Sequence, residues 1–397
     1  MADSLPRLAY IADVGPVDSV AGFLLLHRLF SGYPRDRLWV VAPSSGEDRR
    51  SPSAGWTDFR LGWERLQRTR FHRLSALAAI ARSVWPPNRV EGAVGAFRPD
   101  AIVTLLHGSG WIAASRLARR QRIQLAMIVH DDRMTHCECF QGALKGWAQG
   151  MVREAYRQAG VRFCISPEMR DAYRGRYGAD ANVLYPSLAP GAVAGGEAMP
   201  PGGDRKRNGS TFFYAGSVRS HGIKRQLAIL GRIAVRRGHR VVALTPDSGD
   251  LRADPMLRSA GVEIRDAVAA DAARRMMDAE ADVLIAGIDA KTGDNARYLF
   301  PTKLAEYTSL GRPILLCSPK GTAAANWAEG PPMRALCVED PVREEDLERA
   351  VERLENDAGF RATLGAAALS EARERFSHEA VFGVFMDGIL KALGTRR

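Results

Sequence analysis

Lys303 and Glu306 stand three residues apart in LFPTKLAEYTSLGRPILLC, Leu299 to Cys317. On a helix that spacing puts an ammonium and a carboxylate on one face. The ammonium suits an anion such as a phosphate, and the carboxylate can accept hydrogen bonds from a pair of sugar hydroxyls. Thr302 after Pro301 reads as the N-cap of a helix over Lys303 to Leu310, which Gly311 and Pro313 end, and Ile314 to Cys317 then reads as a buried strand. Unpaired N–H groups and the positive dipole end at that helix start would add to the pull on an anion. The same residues equally describe a surface helix carrying an ordinary Lys/Glu pair, so the rest of the chain must decide.

Further groups capable of chemistry lie at the ends of strand-like runs. In YAGSVRSHGIKRQ, Tyr214 to Gln226, a strand ends at Gly216-Ser217, and a basic loop with Arg219, Lys224 and Arg225 leads into a helix, an arrangement able to hold a diphosphate. MIVHDD places His130, Asp131 and Asp132 after another strand, where an imidazole can hydrogen-bond hydroxyls and a carboxylate can orient or deprotonate one. His107 in LLHGSG is a parallel case, with a purely loop-shaping role equally open, and Asp13, Gly15 and Gly22 flank the first strand-to-helix loop. His136-Cys137-Glu138-Cys139 has metal-like residues but no second Cys/His pair, so no metal site is assigned to it. Thr292-Gly293-Asp294-Asn295 is a turn without the setting of a phosphate-binding loop.

The elements that position these groups alternate from the start. Strand-like runs at 7–13, 38–42, 101–106, 125–129 and 161–165 are separated by helical patterns, including one from about Asp18 to Phe30. Ser166-Pro167-Glu168 opens a helix that Gly178 ends. Pro186 to Ser210 is rich in Pro, Gly and Ala and reads as a linker. The alternation then restarts with strands at 211–215, 240–244 and 282–286 and a helix from about His221 to Arg237. This is the pattern of parallel α/β sheets, and 397 residues suffice for two such domains. Ligands of open α/β sheets bind outside the strand C-terminal ends, and two domains in tandem would face a cleft with them.

Composition narrows the classes further. With 46% hydrophobic and 25% charged residues the chain is globular rather than disordered. Five scattered cysteines point to a reducing cytoplasm. The N-terminus shows no apolar signal region, and no apolar run approaches the roughly 20 residues that span a bilayer. A net charge of +11 favours anionic partners. Seven arginines between Arg60 and Arg89, with Trp63, Phe71 and Trp85, fit a helix lying on an anionic membrane surface, or equally a solvated helix packed on its own domain. No nucleic-acid-binding module accompanies them, so nucleic acid is not an expected partner.

Taken in order, FRPDAIVTLLHGSGWIAASRLARR, IVHDD, CISPEMRDAYRGRYG, YAGSVRSHGIK and FPTKLAEYTSLGRPI resemble the nucleotide-sugar glycosyltransferases of the GT-B fold, in particular the retaining family 4. The resemblance implies two Rossmann-like domains with parallel sheets facing a central cleft: an acceptor domain over 1–186, a linker over 187–210, a donor domain over 211–375 and a C-terminal helix over 376–397 that crosses back to the first domain. It implies transfer of a sugar from a nucleoside diphosphate to a hydroxyl acceptor in glycan or glycolipid biosynthesis; together with the basic aromatic segment this makes a sugar or lipid-linked acceptor, met in the cytoplasm at the inner face of the membrane, the expectation. Glu306 would hold the donor ribose, with Gly216, Ser217, Thr302 and Lys303 completing the donor site. Arg219 and Lys224 would neutralise the leaving diphosphate, so that no metal or other cofactor is required. His130 matches a histidine near the transferred sugar and, with Asp131, falls on the catalytic side, while His107 and Gly15 fall on the acceptor side. Tyr298 stands where the family often has a second glutamate, and Ser217 where many members have arginine, which keeps a non-catalytic nucleotide-sugar-binding protein as an alternative; a sugar-nucleotide epimerase or an inverting transferase on the same fold is the enzyme alternative.

Overall fold

The computed structural model describes residues 5–16, 24–43, 53–59, 69–132, 135–193 and 209–394. The chain divides into two units, Met1–Ser187 with His378–Arg397, and Leu188–Ser377. The first holds β1 (Leu8–Ile11), β2 (Leu38–Ala42), β3 (Gly55–Asp58), β4 (Ala101–Leu105), β5 (Gln124–Val129), β6 (Val161–Cys164) and β7 (Asn182–Val183). These form one sheet in the order β3-β2-β1-β4-β5-β6-β7, with every pairing parallel. The second holds β8 (Thr211–Ala215), β9 (Arg240–Thr245), β10 (Val262–Asp266), β11 (Val283–Gly287), β12 (Ile314–Ser318) and β13 (Leu336–Glu339), in the order β10-β9-β8-β11-β12-β13 and again all parallel.

Strands covered on both faces read as near-continuous apolar runs. LAYI in β1, AIVTL in β4 and ILLCS in β12 are buried throughout. All strands expected from the sequence are interior ones, with ends that shift by a few residues. The four edge strands, β3, β7, β10 and β13, went unread because their outer positions are solvated and carry polar residues such as those of VEIRD.

Caps behave as local chemistry dictates. Ser166 accepts from the N–H of Met169, Pro167 opens the helix Pro167–Tyr177, and Gly178 closes it at φ 68°. The first helix is described from Leu24 to Ser31, and the start expected near Asp18 lies outside the described residues, as do Gly22, most of the linker and the part of the basic segment from Arg60 to Arg68.

The C-terminal helix, His378–Gly394, belongs to the first unit. Its Phe385 is fully buried, edge-on to Phe30 at 6.2 Å and tilted against Phe163 at 5.4 Å. Close approach needs Gly388, where a Cβ would lie 2.8 Å from the Phe163 ring. The Gln124 amide also donates to the Ala392 carbonyl at 2.9 Å. Phe385→Ala should therefore destabilise the first unit by about 3–5 kcal/mol, read as a lowered urea midpoint for that unit. An unchanged midpoint would show that the helix adds nothing to this core.

Candidate functional site

In both sheets the strand order reverses beside the first strand, between β1 and β4 and between β8 and β11. Loops leaving such neighbouring strands in opposite directions open a crevice at the strand C-termini, where α/β folds hold ligands. The groups singled out from sequence lie at these two places.

In the second unit, β8 ends at Gly216, whose φ of 137° is strained for any residue with a side chain. A Cβ there would also lie 2.9 Å from Lys303 Nζ. Lys303 is turned inward: its Nζ donates to the Tyr214 hydroxyl at 2.6 Å and lies 4.0 Å from the centre of the Tyr214 ring. The Tyr214 hydroxyl in turn donates to the Ser217 carbonyl at 2.6 Å. Burial pulls the Lys303 ammonium down to about 7. The helix carrying it, Thr302–Thr308, is fastened to the same strand end through Tyr307, whose hydroxyl accepts from the Ala215 N–H at 2.8 Å.

One local expectation is corrected here. Pro301, not Thr302, occupies the N-cap position, and no side chain caps this helix. The helix is seven residues long, with Lys303 in its first turn and Glu306 in its second. Glu306 is partly exposed, and Tyr298 is buried.

The basic loop after β8 is organised by acids. Asp247 accepts from the Ser217 hydroxyl at 2.6 Å, the Val218 N–H at 2.9 Å and Arg219 Nε at 3.2 Å. The Ser217 hydroxyl above all, with Val218 and Arg219, holds the Asp247 carboxyl below its usual range. Lys224 pairs with Asp254 at 2.9 Å. At the start of the helix His221–Arg236, the Ser220 hydroxyl takes the Ile223 N–H and Asp289 takes the Gly222 N–H, so these two backbone donors already have partners. Asp247, Asp254, Asp289 and Tyr214 were not anticipated, because their role comes from contacts across the sheet rather than from a motif.

In the first unit, the ends of β1, β4 and β5 bring Asp13, His107 and His130 to one edge. Asp13 accepts a short hydrogen bond from the Ser109 N–H, and its Oδ2 lies where a Cβ on Gly108 would have to be. Gly108, at φ 58°, and Gly110, pressed against the backbone of Ala12, are thus required for the helix Gly110–Gln121 to start over the β1 loop. Burial raises the Asp13 carboxyl to about 7 against the pull of the Ser109 and Gly110 N–H groups. His136, 3.9 Å from Asp13, also contacts the Ser109 hydroxyl at 3.2 Å. Gly15 lies under the Trp56 ring, with room for no side chain in this packing.

His107 and His130 are nearly parallel, 6.0 Å between ring centres, and His130 Nε2 is 3.2 Å from Asp131 Oδ2. Burial, with the neighbouring His130, lowers His107 to about 4, leaving it a neutral imidazole near neutral pH. Asp132 is committed elsewhere: it is buried and binds both Nη atoms of Arg176, at 2.6 and 3.3 Å. That pair borders a cavity of about 410 Å³ lined also by Leu106, Lys145, Tyr173 and Tyr177. In the His136–Cys139 turn, burial pushes the Cys137 thiol up to about 12, which makes it a poor thiolate donor.

Solved structures share this architecture along nearly the whole chain. HepE from Anabaena in complex with UDP superposes with a TM-score of 0.68 at 13% identity, covering 97% of this chain and 100% of that one. A glycosyltransferase from Rickettsia africae gives 0.69 at 10% identity over 97% and 98%. Sucrose-phosphate synthase from Thermosynechococcus elongatus gives 0.67 at 13% identity over 98% and 100%. The fold is GT-B. The family model of Glycosyltransferase Family 4 matches residues 27–187, most of the first unit. No curated protein matches the sequence. The resemblance read from sequence therefore holds for the fold, and the GT-B architecture gives the two strand-end crevices their context.

The raised Asp13 carboxyl has a pH signature. Between about pH 4 and 7 the native state keeps a proton that the unfolded chain gives up, so this group's contribution to stability falls as pH rises through that window. Asp13→Asn removes the titration and can still accept from the Ser109 N–H. The difference in urea midpoint between the two proteins should shift in favour of Asp13→Asn from pH 4 to 7. A pH-independent difference would show that Asp13 is ionised throughout.

Proposed function

We propose that this chain is a glycosyltransferase that moves a hexose, with retention, from a nucleoside diphosphate sugar to a hydroxyl of a sugar or lipid-linked acceptor in glycan or glycolipid biosynthesis. The observation that carries the reading is Lys303, a cation drawn into the end of β8 against Gly216 and Tyr214. Burying an ammonium is costly unless something compensates it, and an entering diphosphate would do so. The GT-B relatives supply the ligand class: HepE was solved with UDP and with UDP-glucose. A trehalose-6-phosphate synthase was studied for glycosyl transfer with retention.

In this reading the second unit holds the donor. Glu306 accepts from the ribose hydroxyls, and Gly216, Ser217, Thr302 and Lys303 surround the diphosphate. Arg219 is largely exposed, at 83%, and its pair with Asp247 is a surface contact worth about 0–1 kcal/mol, so it can turn to the departing phosphate at little cost. Lys224 would have to leave Asp254, with which it is more enclosed. Cations in place before negative charge develops lower the barrier without reorganising at the moment of reaction. The first unit holds the acceptor, with His130 on the transferred sugar, Asp131 taking the acceptor proton, and His107 and Gly15 shaping the site. The cavity beside Tyr173 and Arg176 offers room for the rest of an amphiphilic acceptor.

A membrane-bound acceptor is supported by the surface of the first unit. Leu74 and Leu77 are exposed on the helix His72–Val84, Phe71 and Trp85 are exposed at its two ends, and Leu144 and Trp147 are exposed on the helix Ala143–Gln158. Both helices pack on the His136–Cys139 turn, and Arg70, Arg73, Arg82 and Lys145 lie among these residues. No helix among the described residues is long and apolar enough to cross a membrane, so docking would be peripheral.

Glu306→Ala should weaken UDP-glucose binding by about 10–100-fold, the equivalent of the roughly 1.5–3 kcal/mol of a hydrogen bond to a charged group. Calorimetry showing normal affinity would sink the ribose role. Lys303 gives a second test with the same probe, whose diphosphate diester does not titrate near neutrality. Binding should take up a proton at pH 8 and weaken as pH rises above about 7, because only the ammonium form pairs with the anion. Lys303→Met should abolish both effects. Vesicle co-sedimentation tests the membrane: binding to anionic but not neutral lipid, reversed by salt, is expected. Equal binding to both, or none, would leave a soluble acceptor.

A further inference from the structure

We infer a site for a divalent transition metal on the C-terminal edge of the first unit's sheet, with His107, His130 and Asp131 as its protein ligands. The inference does not depend on the transferase reading, since it concerns metal binding itself. One ligand atom from each residue lies within 4.8 Å of the other two, and all three residues are partly buried. The backbone accounts for their meeting. β4 and β5 pair in parallel register from Ala101↔Gln124 to Leu105↔Ile128, so the segments leaving them run side by side. His107 follows β4 after Leu106, while His130 and Asp131 follow β5 directly.

The distances suit a metal of zinc-like size. Bonds of about 2.0–2.1 Å in tetrahedral geometry place ligand atoms about 3.3 Å apart. His130 Nε2 and Asp131 Oδ2 are already 3.2 Å apart, and His107 has to close by no more than about an ångström and a half, a side-chain rotation within its own loop. The donor set chooses the metal class. Two imidazoles with one carboxylate favour zinc, cobalt, nickel or iron(II) over magnesium and calcium, which take oxygen ligands. Three protein ligands also leave coordination positions for water or for an oxygen of a bound molecule, as in open rather than purely structural sites. The adjacent His136–Cys139 turn does not compete well, because the Cys137 thiol is buried and the Cys139 thiol donates to the His136 carbonyl at 2.9 Å.

The test uses the full-length protein stripped with chelator. Titration with cobalt(II) should give a visible ligand-field band that saturates at one equivalent per chain. Zinc(II) should displace the cobalt and bleach the band. His107→Ala and Asp131→Asn should each weaken binding by at least about 10–100-fold, the loss that follows from removing even an outer-shell partner. His72→Ala, which alters an exposed histidine on another element, should bind as the wild type does. Circular dichroism and thermal melting in chelator check that the variants fold, and His107→Gln, closer in size, replaces the alanine variant should that one unfold. Absence of a stoichiometric band, or a band that survives both ligand substitutions, overturns the site and leaves His130 and Asp131 as an ordinary hydrogen-bonded pair.

Discussion

Within each sheet, all strand pairings among the described residues are parallel, and this constraint positions the candidate groups of each unit. A parallel sheet needs a crossover between consecutive strands, so one edge collects every segment that leaves a strand C-terminus. Where the order reverses, two of those segments diverge and leave backbone and side chains open to a ligand. Asp13 and His107 stand at one reversal, and Gly216 and Asp289 stand beyond the two strands of the other. The glycines there are consequences of crowding rather than flexibility. Gly108 yields its Cβ position to Asp13, Gly216 to Lys303 and Gly222 to Asp289.

Interior strands were legible in the sequence because burial on both faces asks for a short, nearly continuous apolar run, and here those runs recur between helical patterns and turn residues. Edge strands such as GWTD and VEIRD obey no such demand and were invisible. The site was legible in part for a related reason. Lys303 and Glu306 fall in one short stretch with its own start and stop, and the histidines follow apolar runs directly. What the sequence could not show is pairing over long separations. Arg219 meets Asp247, Lys224 meets Asp254, and Lys303 meets Tyr214 across 89 residues. Asp132 looked as available as Asp131 until Arg176, on a helix more than forty residues later, took it.

These pairings differ in what they cost, and the difference separates function from packing. A surface pair such as Arg219 with Asp247 is nearly neutral in energy and says little either way. Asp132 with Arg176 is a buried carboxylate satisfied by two donors, which is what a folded interior requires of any charge it encloses. Lys303 is different. Its amine has a phenol and a ring face for company, with no carboxylate among its hydrogen-bond partners in the described residues, and burial pulls its ammonium down to about 7. Such a group weakens the folded state at neutral pH, because the unfolded chain would hold its proton more tightly. A stable fold gains nothing from that placement, whereas a site awaiting an anion does.

The first unit carries the complementary case. Asp13 is a carboxylate buried deeply enough to stay near half-protonated at neutral pH, while His107, on the neighbouring strand end, is buried neutral. Opposite charges on these two groups would have been the simple way to stabilise the crevice, and the fold does not use it. His107 is a neutral imidazole near neutral pH, and an imidazole nitrogen or a carboxylate oxygen is a group that can meet either a cation or a hydroxyl proton. A metal at His107, His130 and Asp131 and a sugar acceptor at the same edge are therefore compatible demands on one set of atoms. In the proposed reading the donor's phosphates would instead meet Lys303, with Arg219 and Lys224, whose pairs with Asp247 and Asp254 would be exchanged. The two units thus place charge by different means: the second encloses a lysine amine whose ammonium burial pulls down to about 7, and the first gathers two imidazoles and a carboxylate at one sheet edge.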